Sequence, residues 1–330
     1  MAKRKFYMIL DTETATVPFV DRVAKTPKDR QAIAIAKPLI YDIGWVVVDR
    51  QGNPIKAENY LVDEIWNYPD VFNTAYYKNK RPIYERMIEE GEIEVKSWWD
   101  IISLFKDDIA WCDVATAFNA CFDFKRALPF TTRWMDNSQY PWFDQWIKLQ
   151  YDSCKAIAEG TLDAKNPEYL TPTVNFYGTE FKISDLRYLA CRDLINHGKY
   201  KKFCLTHNML TDSSLYFKTT AESTFAYLSH NSDFVEAHTA LDDAWIEAFI
   251  LKKLLRKGKV QPELAAFPEK ILGFTYDYVA NNPKYIPTVL NSMEGYINQH
   301  GGFESPDSKF TKRICNKHEF LKAILESVSD

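Results

Sequence analysis

Apolar positions recur along this chain at two periods, one of two residues and one of three to four. Lys5–Leu10 is a short apolar run that meets a carboxylate at Asp11, the pattern of a buried strand delivering a polar residue to a sheet edge. Ile40–Asp49 (I-Y-D-I-G-W-V-V-V-D) is rich in β-branched residues and ends in the turn cluster Arg50-Gln-Gly-Asn-Pro54. Ile55–Val62 then alternates apolar with polar residues, so the three segments predict three consecutive antiparallel strands. Helical spacing follows in Ile83–Glu94 and in Ser97–Ile109, the second with Ser97 as N-cap and Asp100 at N3. Asp113–Ala117 reads as a short strand, Asn119–Leu128 opens a helix, and Tyr151–Glu159 is a helix capped by Asp152 or Ser153. Ser184–Ile195, Ala221–Ser229 and His238–Lys257 are helical in pattern. The last carries Leu241, Ala244, Trp245, Ala248, Leu251 and Leu255 on one side and stops at Gly258.

The order β-β-β-α-β-α predicts an α/β fold, with a mixed central sheet flanked by helices. A doubly wound nucleotide fold is disfavoured, because neither Gly-x-Gly-x-x-Gly nor Gly-x₄-Gly-Lys-Ser/Thr occurs and only 11 of 330 residues are Gly. Beyond Gly258 the chain turns rich in Pro, Asn and Tyr before a helix over Glu319–Val328. Residues 1–258 are therefore read as one domain and 259–330 as a mainly helical C-terminal extension that carries no recognisable chemistry.

Hydrophobic residues at 46% and charged residues at 26% fit a folded protein. Aromatics reach 15%; they suit a large core or stacking on unpaired bases, and the count does not choose between these. A net charge of −4 argues only weakly against a nucleic-acid partner, since clustered carboxylates lower the total and a bound divalent cation would reverse the local sign. Basic runs at Lys78–Arg81, Lys199–Lys202 and Lys252–Lys259 could give local positive surface, although solvated faces explain each one alone. Six scattered cysteines without a Cys-x-x-Cys pair fit free thiols in a reducing compartment. The start has the charge of a signal peptide, but its apolar run Phe6–Leu10 is too short for one, and no stretch reaches membrane-spanning length. The expected location is cytoplasmic, with no membrane partner.

The chemistry starts at Asp11-Thr12-Glu13, where alternation puts two carboxylates on one side of a strand. Side by side they repel unless a cation neutralises them, and hard oxygen ligands suit Mg²⁺ or Mn²⁺. Alone, Asp-x-Glu is better explained as a solvated strand end. Asp123 adds a carboxylate just after a predicted strand, where a turn or helix cap would serve equally. Asp243 lies in the first turns of a helix, with His238 just before it. Phosphodiester hydrolysis needs an activated water, neutralised phosphoryl oxygens and a stabilised leaving alkoxide, which two carboxylate-held ions could supply. An imidazole titrating near neutrality suits removal of the water's proton.

Together, Asp11-Thr-Glu-Thr14, Asn119-x-x-Phe-Asp123 and His238-Thr-Ala-Leu-Asp-Asp243 resemble, in order, the three motifs of the DnaQ-like (DEDDh) 3′→5′ exonucleases. That family includes phage-encoded members and the epsilon proofreading subunit of bacterial DNA polymerase III. Ile40–Gly52, Asp152-Ser-Cys and Lys182–Leu189 are similar to flanking family elements, so the resemblance spans about residues 5–257 with gaps. It implies an RNase H-like fold and two Mg²⁺ or Mn²⁺ ions held by Asp11, Glu13, Asp123 and Asp243, with His238 as general base. The family spacing from histidine to ligand selects Asp243 over Asp242. It also implies single-stranded DNA or RNA 3′ ends as substrate, DNA favoured, and a polymerase or replication protein as partner in trans.

Thr12 and Thr14 could contact the terminal nucleotide. Asn119 could bind the 3′ end, although capping is its favoured role, and Phe122 is read as core ahead of base contact. Asp242 and Asp144 are read as surface acids. The separation of Asp123 from Asp243 exceeds that of compact members, and the surplus is assigned to an insertion near residues 196–236. The competing functional reading is a catalytically silent nucleic-acid-binding or assembly protein; an RNase H-like endonuclease and an aspartyl-nucleophile phosphatase fit the motifs less well. Cys204-Leu-Thr-His207, with Cys191 or His230, is a zinc alternative that lacks a second close ligand pair.

Overall fold

Seven strands of the computed structural model join in one mixed sheet: β1 (Phe6–Ala15), β2 (Leu39–Asp49), β3 (Pro54–Val62), β4 (Glu94–Lys96), β5 (Val114–Ala117), β6 (Thr173–Phe176) and β7 (Thr179–Asp185). The structure describes residues 6–138, 143–161, 171–213, 216–255, 260 and 275–329. The strands are ordered β4-β3-β2-β1-β5-β7-β6. β2 runs antiparallel to β1 and β3, and β6 antiparallel to β7, while β1–β5, β5–β7 and β3–β4 are parallel. Only Asp49 of β2 escapes full burial, because this central strand is covered on both faces and its apolar run is continuous.

The three predicted strands are present. β1, however, runs on past Asp11 to Ala15, held by β2 through Asp11↔Gly44 and Glu13↔Asp42. The helix expected over Ile83–Glu94 is Arg81–Glu89 (α1), and residues 94–96 are drawn into β4 by pairing with β3. The next helix, Trp98–Ile109 (α2), has the expected cap, with Ser97 Oγ accepting from the Asp100 N–H at 3.2 Å. Asp152 and Ser153 are not caps. They lie well inside a helix that starts earlier, Phe143–Ala158 (α3). Ser184 and Asp185 end β7 instead of opening a helix; the β6–β7 hairpin turns on Tyr177 and Gly178, both at positive φ (49° and 78°), as a two-residue hairpin requires.

Many aromatics serve the core. Trp45, Tyr41, Phe72, Tyr84, Trp98 and Phe105 are fully buried, and Tyr41 meets Phe72 and Tyr84 edge-on. The Trp45 indole donates to Asp108 Oδ2 at 2.9 Å, and Lys56 neutralises that carboxylate at 2.8 Å. Helix Ala240–Leu255 (α4) packs on β1 and β2. Its buried side includes Ala240, Asp243, Ala244, Glu247, Ala248, Leu251 and Leu254, whereas Trp245, assigned to the apolar stripe, is 40% exposed. The seating is close because of Gly44: a Cβ there would lie 2.4 Å from Leu241 N.

The chain divides into two compact units, Met1–Leu186 with Val235–Ala265 and Arg187–Phe234 with Ala266–Asp330. The sheet belongs to the first. The second draws on most of the 196–236 stretch and on the C-terminal segment; its described residues are mainly helical, with helices at Gly198–Thr206, Ala221–Ser229, Ile286–Gln299 and Lys309–Ser329. Tyr200 anchors its interior, donating to the Lys218 carbonyl (2.9 Å) and facing Ser223 Oγ (3.0 Å). His318, in the helix Lys309–Ser329, is buried 2.8 Å from Glu294 of the helix Ile286–Gln299. Cys191 and Cys204 are buried, and among the described residues the converging sets of metal-ligand atoms include no cysteine. Among the described residues no helix is long and apolar enough to cross a membrane.

Candidate active site

The parallel strand ends and the start of α4 bring acids from distant sequence positions together. Asp11 and Glu13 are half-buried on one side of β1, two residues apart as alternation requires. Asp123 is buried in a π turn (Asp123–Ala127) that follows β5. Asp243 is buried in the first turn of α4. His238 lies two residues before that helix at φ 52°, in the left-handed region.

Glu13, His238 and Asp243 each offer a ligand atom within 4.8 Å of the others. His238 Nδ1 is 3.8 Å from Asp243 Oδ2 and 3.8 Å from Glu236 Oε2. Its ring stacks on Tyr77 (centroids 4.6 Å apart, planes 16° apart), which fixes the imidazole plane. Lys80 donates to the Ala237 carbonyl and holds the chain entering His238. Thr12, on the other side of β1, donates its hydroxyl to Asp123 Oδ1 at 2.6 Å, so this predicted substrate contact orients a carboxylate.

The electrostatics are those of acids crowded without enough positive charge. Burial raises Asp11 well above the usual carboxylate range, and the charges of Glu247, Asp123, Glu13 and Asp243 raise it further. Burial also lifts Glu13, with Asp42 and Asp243 adding to the effect and Lys80 opposing it. Asp123 is pushed up to about 7, chiefly by burial, against the Thr12 hydrogen bond. Asp243 is pushed up to about 8 by burial and by Glu236, against a bond from the His238 backbone N–H. Asp243 Oδ1 is buried without a hydrogen-bond partner among the described residues. A divalent cation would offset this repulsion and desolvation, and the carboxylate oxygens suit Mg²⁺ or Mn²⁺.

Three further acids belong to the site and were missed. Asp42 is fully buried across from Glu13, accepts from Tyr84 Oη (2.7 Å) and the Ala240 N–H (2.8 Å), and is pushed up to about 6. Glu247 is buried one helical turn after Asp243, accepts from the Phe118 N–H at 3.0 Å and is raised well above the usual range by burial and by Asp123. Glu236 faces His238. The signal for Glu247 was its i+4 spacing from Asp243; that for Asp42 was an acid inside an otherwise apolar strand.

The remaining predicted residues are spread around this centre. Thr14 is half-buried opposite Ile40. Phe122 is half-buried and packs on the core. Asn119 does not cap: its side chain makes no cap hydrogen bond, it is exposed, and its φ of 87° shows that a left-handed bend is what the residue supplies. Asp242 is exposed and accepts from Thr239 Oγ1 at 2.6 Å. The side chain of Asp144 lies outside the described residues. The chain matches no protein-family model, no curated protein and no solved structure.

Proposed function

We propose that the chain is a metal-dependent 3′→5′ exonuclease of the DEDDh type, releasing nucleoside 5′-monophosphates from single-stranded ends, with DNA favoured. The observation that carries this reading is the convergence of Glu13, His238 and Asp243 within 4.8 Å, with Asp11 close enough to feel the charges of Glu13, Asp243 and Asp123. A mixed sheet flanked by helices fits an RNase H-like fold and supports it.

Asp11, Glu13, Asp123 and Asp243 are the residues that would hold two Mg²⁺ or Mn²⁺ ions; the buried Asp243 Oδ1, without a hydrogen-bond partner among the described residues, supports this. When bound, such ions supply charge neutralisation on the phosphoryl oxygens, a more acidic water and a stabilised leaving oxygen. His238 takes the proton from the attacking water. The water oxygen bonds to phosphorus and the bond from phosphorus to the 3′ oxygen of the preceding nucleotide breaks. Solvent then protonates the leaving oxygen as a new 3′ hydroxyl. Tyr77 and Lys80 set the plane and position of His238, and Thr12 aims Asp123.

The test is nucleotide release from a 3′-labelled oligonucleotide with Mg²⁺ or with EDTA. Asp11→Asn and Asp243→Asn should abolish release while the circular dichroism spectrum is kept. His238→Ala should slow it about 10²- to 10⁴-fold, the usual worth of a general base. Binding without any release assigns the silent binding role instead. Cleavage of a circular substrate assigns an endonuclease. A panel of single-stranded, duplex and mismatched DNA and RNA ends then fixes the substrate.

A further inference from the structure

Among the described residues, the most exposed large hydrophobic side chain is Tyr76, at 84%. A single aromatic on a surface is ordinary and needs no ligand to explain it. Tyr76 differs in where it stands and in how it is held. Its ring meets Tyr77 edge-on, with centroids 4.8 Å and planes 88° apart, and Tyr77 is the ring that stacks on His238. One ring therefore links Tyr76 to the histidine of the carboxylate centre, and its exposure leaves the ring open to solvent there.

The backbone on either side of Tyr76 is tied down. Phe72 and Ala75 are buried, and the Ala75 N–H donates to the Phe72 carbonyl at 2.9 Å. Thr74 Oγ1 accepts from the Thr16 N–H at 2.9 Å and donates to the Val71 carbonyl at 2.7 Å, which fastens this stretch to the chain just beyond β1. After Tyr76, the Lys80 N–H donates to the Tyr77 carbonyl at 2.9 Å and closes the turn Lys78–Lys80. The Lys80 ammonium lies 4.7 Å from the centre of the Tyr77 ring and bonds the Ala237 carbonyl. A ring carried on so braced a turn loses little freedom when a ligand covers it, since only its own two side-chain torsions remain to be fixed. Lys78, exposed on the same turn, adds positive charge. Open aromatic faces combined with cations suit unpaired nucleic acid: every base offers a π face, and the cations track the phosphates. A base inside a duplex has its faces covered by its neighbours and cannot use the ring.

We infer that Tyr76 stacks on an unpaired base of the strand whose end lies at the carboxylate centre, and so favours single-stranded over paired ends; this rests on the reading above for the identity of the strand. Tyr76 touches no reacting atom, so it acts through binding. The experiment compares the wild type, Tyr76→Ala and Tyr76→Phe on a 5′-fluorescein single-stranded oligonucleotide. Binding is measured by anisotropy with Ca²⁺ in place of Mg²⁺, and nucleotide release is measured with Mg²⁺. Tyr76→Ala should weaken binding about 5- to 100-fold, the usual worth of one base on one ring. It should raise KM with little change in kcat, because contacts shared by substrate and transition state change KM alone. Tyr76→Phe should match the wild type, and all three should melt at the same temperature. An abasic residue is then placed at successive positions from the 3′ end. At one position it should weaken binding by the wild type but not by Tyr76→Ala, since each change removes the same contact. Equal binding by the wild type and Tyr76→Ala, or abasic losses of the same size in both at every position, overturns the inference. A wild type that binds with this dependence on Tyr76 but releases nothing supports the stacking site and refutes the exonuclease reading. A wild type that binds no oligonucleotide overturns both.

Discussion

Replacing Gly44 by alanine tests whether the site depends on close seating of α4 on β2. A Cβ at Gly44 would lie 2.4 Å from Leu241 N, 2.6 Å from Leu241 Cα and 2.7 Å from Ala240 C, all of them backbone atoms. Ordinary carbon contacts sit near 3.5–4.0 Å, so about 1 Å of separation must be created. No side chain can swing aside. β2 is held by β1 on one side and β3 on the other, so the first turn of α4 is the part that can lift. That turn carries Asp243, and Ala240 donates its N–H to Asp42 at 2.8 Å. Overpacking of this kind costs about 1–3 kcal/mol, or a few degrees of melting temperature at roughly 2–4 °C per kcal/mol for a unit of this size. A misplacement of about 1 Å at catalytic groups costs on the order of 10²-fold in rate. Gly44→Ala should therefore remain folded by circular dichroism, melt a few degrees lower and release nucleotide about a hundredfold more slowly with Mn²⁺. A variant with the wild-type rate and melting temperature would refute the close-seating argument.

Other outcomes follow from the acid cluster and the histidine clamp. Without metal, stability should fall as pH rises from about 4 to about 8, because burial pushes Asp42, Asp123 and Asp243 up to about 6, 7 and 8 in the folded chain from an ordinary 3.8. The folded state then binds more protons than the unfolded one, so the penalty is absent below the ordinary value and complete above the folded one. For Asp42 alone, moved from 3.8 to about 6, it is on the order of 3 kcal/mol; a flat profile of melting temperature against pH in EDTA would contradict this. At pH 8, Mn²⁺ at a hundred times its dissociation constant should add about 2.7 kcal/mol, and Asp243→Asn should lose most of that gain in the same melts. Tyr77→Ala should slow nucleotide release with little change in Mn²⁺ affinity, whereas Tyr77→Phe, which keeps the ring stacked on His238, should restore it; equal rates in both variants would remove the positioning role.

How far the sequence could be read depended on whether the signal was local. β2 announced itself because ten of its eleven positions are buried, and Ser97 because a cap is written within four residues. The hairpin β6–β7 was invisible to helical periodicity, since Leu186 and Leu189 continue an apolar spacing across the end of a strand. Trp245 was placed inward for the same reason: periodicity gives a stripe, but the glycine at position 44 of another element decides which side of α4 touches the sheet.

The missed acids show the limit most clearly. An apolar stripe assigned by hydrophobicity must exclude Asp243 and Glu247, yet both are on the buried side of α4. Burying either alone would be costly. Burying them together with Asp11, Glu13, Asp42 and Asp123 calls for compensating positive charge, and the Lys80 ammonium, which lowers Glu13, is also engaged with the Ala237 carbonyl. The same crowding that lifts Asp11 well above the usual range therefore makes a cation the natural complement of the site. Asp42 and Glu247 are each anchored by a backbone N–H, from Ala240 and Phe118. They tie α4 to β2 and to the end of β5, the elements that carry Asp243 and lead into Asp123. On the proposed reading their role is to position the acids that would hold the metal rather than to ligate it. Exchange of Glu247 for Gln, which keeps an acceptor for the Phe118 N–H while removing a charge, should thus raise metal-free stability and leave the metal site assembled.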